Sequence, residues 1–296
     1  MRIVITGRQG QVVRSLLERA SVYGVEVVAL GRPELDLSGP VARIVGAIER
    51  ARPQVVVSAA AYTQVDSAES EPELAYAVNE TGARAVALGA RAAGAPLIHL
   101  STDYVFDGSK QAPYSEDDPP HPTGVYGWSK LAGEHAVLAE HKDAAVLRTA
   151  WVYSPFGANF AKTVLRLAGE RDHVAVVADQ IGNPTSALDI ADTIIAVATN
   201  LLGSEEAELR GVFHMAGGGE ATWAQFAERI FAASAAAGGP TATVRPISTA
   251  DYRTAASRPK NSRLDSSKLA RAHGVRLRDW RQPTEEVVRR LLQSAG

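Results

Sequence analysis

The first half of the chain alternates short, unbroken apolar runs with stretches whose apolar residues recur at helical spacing. This alternation decides the fold class. The apolar runs are Arg2–Thr6, Glu26–Leu30, Val55–Ser58, Leu97–Ser101 and Ala144–Thr149. Between them lie Gln11–Tyr23, with Val12, Leu16, Leu17 and Ala20 on one face, a helix opened by Ser38-Gly39-Pro40, the alanine-rich Leu74–Ala93, and Tyr126–His141. Strands that are apolar on both faces need cover on both faces, and a parallel sheet obtains it from its own crossover helices. Right-handed crossovers leave a doubly wound parallel α/β sheet as the leading topology.

The second half is less regular. Asn159–Glu170, Ala187–Asn200, Thr222–Ala236 (capped by Thr222), Ser266–His273 and Pro283–Ser294 read as helices, and Val174–Val177 and Gly211–Met215 as strands. Ser234–Pro240 reads as a turn, and Arg245–Arg263 as a loop with a short insert. At 296 residues the chain has the length of about two domains, and no linker separates them sharply.

Strand one ends in Thr6-Gly7-Arg8-Gln9-Gly10-Gln11-Val12-Val13 and passes straight into a helix. Gly7 supplies a positive φ for the tight turn, and Gly10 lets the backbone approach a pyrophosphate resting on the helix N-terminus. Val13 stands where a third glycine would permit close helix–strand packing. The end of strand two, Leu30-Gly31-Arg32, carries an arginine in place of the carboxylate that would bind an adenosine ribose. A guanidinium there favours a 2′-phosphate, so NADPH is the expected cofactor, with NADH the second candidate. Asp36 and Leu37 follow as candidates to line the adenine pocket. Residues 1–150 are therefore expected to form a dinucleotide-binding Rossmann domain, with interleaved segments returning from the second half. Residues 151–296 would form mainly a smaller C-terminal α/β substrate lobe.

Tyr126-Gly127-Trp128-Ser129-Lys130 places a phenol and an ammonium one helical turn apart on one face. With 8 tyrosines and six lysines in 296 residues, chance supplies roughly 0.16 such pairs, so this single occurrence carries weight. A cation nearby is expected to lower the tyrosine pKa and fit it for proton transfer to a carbonyl oxygen. Strand four ends in Ser101-Thr102-Asp103-Tyr104, at the edge of the sheet where open α/β folds bind ligands. Its hydroxyls could orient a substrate oxygen, while Asp103 and Tyr104 read equally well as substrate-facing or structural.

Together these residues resemble the extended short-chain dehydrogenase/reductase family. Ala59–Glu69, Ser101–Gly108, Val125–Glu134, Arg148–Tyr153, Asn159–Lys162, Asp179–Thr185 and Arg258–Asp265 narrow the resemblance to its dTDP-4-dehydrorhamnose reductases, over Met1 to about Trp280. The resemblance implies a catalytic triad of Thr102, Tyr126 and Lys130. It implies cofactor contacts from Gly7, Gly10, Gln11, Val12, Ala59, Ala60, Ala61, Tyr126 and Lys130. It places Thr63, Val65, Thr102, Asp103, Tyr104 and Trp151 against the deoxyhexose, Arg258 and Asn261 against the nucleotide, and Asn183-Pro184-Thr185 near the nicotinamide. Without it, Trp151 would read as core. The implied reaction is NADPH-dependent reduction of the 4-keto group of dTDP-4-dehydro-β-L-rhamnose, with Tyr126 as proton donor. This would be the final step of dTDP-L-rhamnose biosynthesis, and the product, dTDP-β-L-rhamnose, would be the activated donor for rhamnose-containing polysaccharides such as lipopolysaccharide O-antigen.

Some members of that family are magnesium-linked dimers. Glu18 and Asp189 are the helix-surface carboxylate candidates here, and ordinary solvated charge is the favoured explanation of both. Magnesium stays open, no metal ligand is assigned, and a monomer and a homodimer are both compatible. Two other readings share the scaffold: a different nucleotide-sugar reductase or epimerase, and a non-catalytic NADP-binding regulatory subunit like that of methionine adenosyltransferase. The intact Thr102, Tyr126 and Lys130 argue against the second.

Composition narrows the partners further. A net charge of -2 offers no electrostatic case for nucleic acid or an anionic membrane. The absence of cysteine excludes disulfides, thiolate zinc sites and a cysteine nucleophile. Val55–Tyr62, the longest uncharged apolar run, is far short of the ~20 residues that span a bilayer. The start runs directly into the glycine turn without a signal-peptide pattern, so a soluble, cytoplasmic protein is expected.

Overall fold

The computed structural model describes residues 1–293. Five strands follow the five apolar runs: β1 (Arg2–Thr6), β2 (Glu26–Leu30), β3 (Val55–Ser58), β4 (Leu97–Thr102) and β5 (Ala144–Thr149). Gly211–His214 adds a sixth from the second half, and the order is β2-β1-β3-β4-β5 followed by that strand, every pairing parallel. The sheet is the doubly wound one that the alternation predicts.

Alternate residues of each strand feed opposite layers, as the pleat requires. Ile3, Ile5, Val55, Val57, Ile98, Leu100 and Leu147 pack against α1 (Gln11–Val22) and the helix Ala187–Gly203. Val56, Leu97, Ala144 and Val146 pack against α2 (Val41–Ala51) and the helix Ala83–Ala92. The strand order reverses between β1 and β3, and the crevice beyond the carboxyl ends of the strands opens there. Residues 187–214 thus return to the sheet, and so does the helix Ser267–His273, whose Leu269 joins the same core, while the other late helices form a smaller unit. Its core of Tyr153, Phe226, Ile230, Trp280 and Val287 lies among the helices Phe160–Ala168, Trp223–Ala236 and Arg281–Gln293.

Three sequence expectations need correction. Leu74–Ala93 is not one helix: it divides into Pro72–Tyr76, a wider π-helical turn Ala77–Gly82, and Ala83–Ala92. The wide turn carries Asn79, whose buried amide reaches out of the helix to Tyr62 and Ser129. Arg245–Ile247 is not loop: Thr243–Ile247 pairs in parallel with His173–Val177, and Pro246 is tolerated because each strand has one neighbour only. Ser234–Ala236 belong to the preceding helix, so the turn begins at Ala237. Thr222 does cap that helix, in a reciprocal box with Gln225. The expected end of the last helix at Ser294 lies outside the described residues. No helix among the described residues is long and apolar enough to cross a membrane.

Candidate active site

The glycine turn closes as its sequence requires. Gly7 sits at φ 100°, and its N–H donates to Leu30 O at 2.6 Å, tying the turn to the end of β2. Val13, in place of a third glycine, packs its methyl where a side chain on Gly7 would go, at 3.3 Å. The departure from the fuller glycine pattern therefore leaves the turn intact. No side chain caps α1, and its first turn, Gly10 to Val12, lines a cleft, the arrangement by which a helix N-terminus binds an anion. The Thr6 hydroxyl accepts from Ala59 N and Ala60 N, both at 3.0 Å, and holds the Ala59–Ala61 segment opposite the turn.

A cleft of about 760 Å³ runs from this turn toward β2, lined by Gly7, Arg8, Arg32, Asp36, Leu37 and Ala60 among others. Arg8 was not expected from the sequence. It lies over Gly31, where a Cβ would meet its chain at 3.0 Å, and pairs with Glu34 at 2.5 Å. Two guanidiniums thus border the end of the cleft. The residues present fit a dinucleotide that carries a phosphate there.

A second cleft of about 550 Å³ adjoins the first through Gln9, Ala61 and Thr63. It brings together Gly10, Gln11, Val12, Ala59, Val65, Thr102, Asp103, Tyr104, Tyr126, Lys130 and Trp151, residues drawn from five separate stretches of sequence. The helix Val125–Glu140 delivers Tyr126 and Lys130. It can lie this close because Gly127 and Gly133 press directly on the backbone carbonyls of Tyr104 and Asn79, where a Cβ has no room. The Asn79 amide then donates to Ser129 Oγ at 3.0 Å and fixes the helix to the Tyr62 loop.

The electrostatics differ from the sequence expectation. Burial pushes the Tyr126 phenol up to about 12, against the opposing hydrogen bond from Thr102 and with help from the Asp103 charge. Burial, not Lys130, sets the direction. The Lys130 ammonium donates to Leu100 O at 2.7 Å, and burial drives it down to about 8 while Glu134 pulls the other way. Tyr126 is accordingly a protonated acid at neutral pH. Asp103 is buried, accepts from the Thr102 hydroxyl at 3.0 Å, and is pushed up to about 6 by desolvation.

Trp151 forms the wall between the second cleft and a third of about 440 Å³. Its backbone takes φ 48°, uncommon for a bulky residue and a mark of a constrained site. Its ring stacks on Trp223 with centroids 3.6 Å apart, and Gly182 leaves room for the indole. The third cleft is lined by Tyr104, Phe160, Gln180, Trp223 and Arg258, among others.

Several expected contacts are committed elsewhere. The Asn261 amide donates to Lys110 O at 2.6 Å and Ala112 O at 2.9 Å while its oxygen accepts from Arg263, so it holds a loop and does not line the clefts. Asn183 is likewise spent on Gly219 O and Leu264 N. The Gln11 side chain bonds Ser154 and Asn159, leaving its backbone to face the cleft. Arg258 reaches the third cleft but pairs with Asp66 at 2.6 Å. Glu18 and Asp189 are paired with Arg290 and Arg278, and no group of three or more His, Cys, Asp or Glu among the described residues could hold a metal ion.

A parallel doubly wound sheet with a glycine turn on its first strand and a Tyr–Lys helix beside its fourth is the architecture of the extended short-chain dehydrogenases/reductases. Comparison with known proteins narrows this. Residues 1–293 match the model of the RmlD substrate binding domain family. The chain is 48% identical over 292 residues to the dTDP-4-dehydrorhamnose reductase of Sinorhizobium fredii, covering 99% of this chain and 98% of the relative. The crystal structure of such a reductase from Clostridium acetobutylicum superposes with a TM-score of 0.91 at 34% identity, covering 99% of this chain and 100% of that one. That from Bacillus anthracis, in complex with NADP, gives 0.89 at 35% identity over 97% and 98% of the two chains. The chain belongs to the dTDP-4-dehydrorhamnose reductase family.

Proposed function

We propose that the protein reduces the 4-keto group of dTDP-4-dehydro-β-L-rhamnose with NADPH to give dTDP-β-L-rhamnose. The observation that carries this reading is the convergence of Thr102, Tyr126, Lys130 and Trp151 on one cleft that continues into the glycine turn. The family membership and the NADP complex of the B. anthracis relative support it. Bound NADPH would supply the hydride. The N–H groups at the start of α1 would hold its pyrophosphate, and Arg32 with Arg8 its 2′-phosphate.

The chain's own residues then handle the oxygen. Thr102 and Tyr126 would bracket the keto oxygen, the first holding it and the second giving it a proton as negative charge develops. A phenol near 12 is protonated throughout the physiological range, which suits an acid that works in the reducing direction. The Lys130 ammonium would stabilise the phenolate left behind. Trp151 would cover the apolar face of the deoxyhexose. The third cleft, with Trp223 and Arg258, would take the nucleotide once Arg258 leaves Asp66. We divide the chain accordingly into a cofactor unit, residues 1–150 with the returning segments, and a substrate lobe from 151, and place the protein in the cytoplasm as a biosynthetic enzyme.

The test is NADPH oxidation followed by the loss of its near-ultraviolet absorbance, with freshly generated dTDP-4-dehydro-β-L-rhamnose. Oxidation that requires this sugar nucleotide is expected. Binding of NADPH without turnover would count against the reading and for a regulatory subunit.

A further inference from the structure

Behind the catalytic helix lies a cluster of buried charges that the chemistry above does not use. Tyr126, Lys130 and Glu134 recur at four-residue spacing, so all three lie along one face of Val125–Glu140. Glu134 is 1% exposed and Lys130 3%. Arg148 of β5, also buried, grips Glu134 through both carboxylate oxygens, at 2.9 and 2.7 Å. Ser101 of β4 donates a further short hydrogen bond to the same carboxylate. Lys130 itself has a neutral carbonyl, Leu100 O, as its hydrogen-bond partner.

We propose that Glu134 is a positioning residue: pinned by Arg148 and Ser101 one turn behind Lys130, it holds that side chain charged beneath Tyr126. A buried ammonium bonded to a carbonyl alone would lose its proton to desolvation. The opposing influence present here is the Glu134 charge, and with it Lys130 is held at about 8. The other groups around the lysine do not supply that influence. His99 of β4 is buried with neither ring nitrogen hydrogen-bonded, and burial together with the Lys130 charge holds it neutral. Tyr126 shares the cleft with Lys130 but keeps its proton at neutral pH, and Asp103, charged above about 6, acts on Tyr126 and Tyr104 and not on Lys130. Of the other elements packed on the helix, Pro72–Tyr76 keeps its Glu73 exposed, Ala77–Gly82 brings Asn79 to Ser129, Ala83–Ala92 brings Arg84 to Glu140, and Val65–Ala68 is followed by Glu69, which accepts from Val125 N. None of these carries an anion to Lys130.

Arg148 moderates the effect. Its guanidinium takes up much of the carboxylate, which fixes the geometry and prevents Glu134 from locking Lys130 into a tight ion pair. The arrangement leaves the lysine charged at neutral pH and able to release its proton slightly above it, which a group that helps reprotonate a phenolate requires. The inference rests on the reductase reading only for the rate measurement below.

The direct test is NMR of the full chain with ¹³C at lysine Cε. Six lysines make the spectrum tractable, and Lys130→Met assigns the resonance. In Glu134→Gln, which preserves shape and the Ser101 hydrogen bond, the Lys130 midpoint is expected to fall by at least one pH unit. In Arg148→Met, which leaves the carboxylate to the lysine alone, it is expected to rise by at least half a unit. Opposite shifts separate this role from simple packing, which would not move the two midpoints in opposite directions. Should one variant not fold, the other decides by its own shift. An unchanged Lys130 midpoint in the folded variant overturns the proposal, whatever the protein reduces. In turnover, Glu134→Gln is expected to lower kcat about threefold or more at pH 7.5, with KM for the sugar nucleotide unchanged and the alkaline limb moved to lower pH. Loss of kcat without that movement would assign Glu134 to folding alone.

Discussion

Replacing Tyr126 by phenylalanine separates catalysis from stability more sharply than any other change in this site. In the proposed reaction the phenol, near 12, is the acid that gives the keto oxygen its proton. Without it, water is the remaining donor, weaker by roughly four pKa units on its value of 15.7. A transfer about half complete in the transition state feels half of that difference, about two powers of ten. Loss of a positioned donor adds to it, so kcat should fall by about 10²–10⁴, or about 3–5 kcal/mol. Stability should change little. Thr102, the hydrogen-bond partner of the phenol, keeps Asp103 and Tyr104 N, at 3.0 and 3.2 Å, so the cost stays within about 1 kcal/mol. The assay pairs initial rates of NADPH oxidation with a thermal melt and a cofactor-binding titration. A Tyr126→Phe variant that keeps its melting temperature and its affinity for NADPH but turns over within tenfold of the parent would refute the proton-donor role. The pH profile provides a check on the same reasoning. With Tyr126 near 12 and Lys130 near 8, the alkaline limb of kcat belongs to the lysine and should bend near pH 8.

Three further expectations follow from other parts of the structure. Arg32→Ala should weaken NADPH about 10–100-fold while changing NADH little, since a charge-assisted hydrogen bond contributes about 1.5–3 kcal/mol; equal losses in the two binding titrations would remove the 2′-phosphate argument. Asp103 has its pKa raised from 3.8 to about 6 by burial, so the folded state binds the extra proton and stability falls as pH rises through that window. Asp103→Asn should therefore raise stability by on the order of 3 kcal/mol at pH 7.5 and little at pH 4, and denaturant melts showing the same gain at both would contradict the sign. Gly133→Ala forces a methyl onto the Asn79 carbonyl; it should cost about 1–3 kcal/mol and lower kcat by displacing the Tyr126 helix, and an unperturbed melt and rate would show that the close approach is not required.

The sequence displayed the sheet and half of the site for physical reasons. Runs such as Val55–Ser58 are apolar on both faces because the strand is covered on both, and that shows as an unbroken run. Gly7 and the Tyr126–Lys130 spacing are legible because turn geometry and helical pitch are local properties. What stayed hidden depends on distance. Trp223 lies far along the chain from Trp151, and nothing local foretells that the rings stack. Arg148 and its partner Glu134 were visible only as members of two separate motifs, and nothing in either points to the other. Asn79 did leave a trace, a lone amide in an alanine-rich stretch, and it marks the place where the helix widens. The tyrosine's pKa was misjudged because the i, i+4 spacing reports proximity but not burial, and burial dominates here.

The central claim is hydride addition to C4 of a dTDP-linked 4-keto-6-deoxyhexose, and isotopic labelling tests it most directly. The purified protein is incubated with dTDP-4-dehydro-β-L-rhamnose and NADPH deuterated at nicotinamide C4, and the product is examined by NMR. The account predicts dTDP-β-L-rhamnose carrying deuterium at C4 of the sugar. Deuterium at another carbon, a product of different configuration at C4, or recovery of the substrate unchanged beside bound cofactor would contradict it.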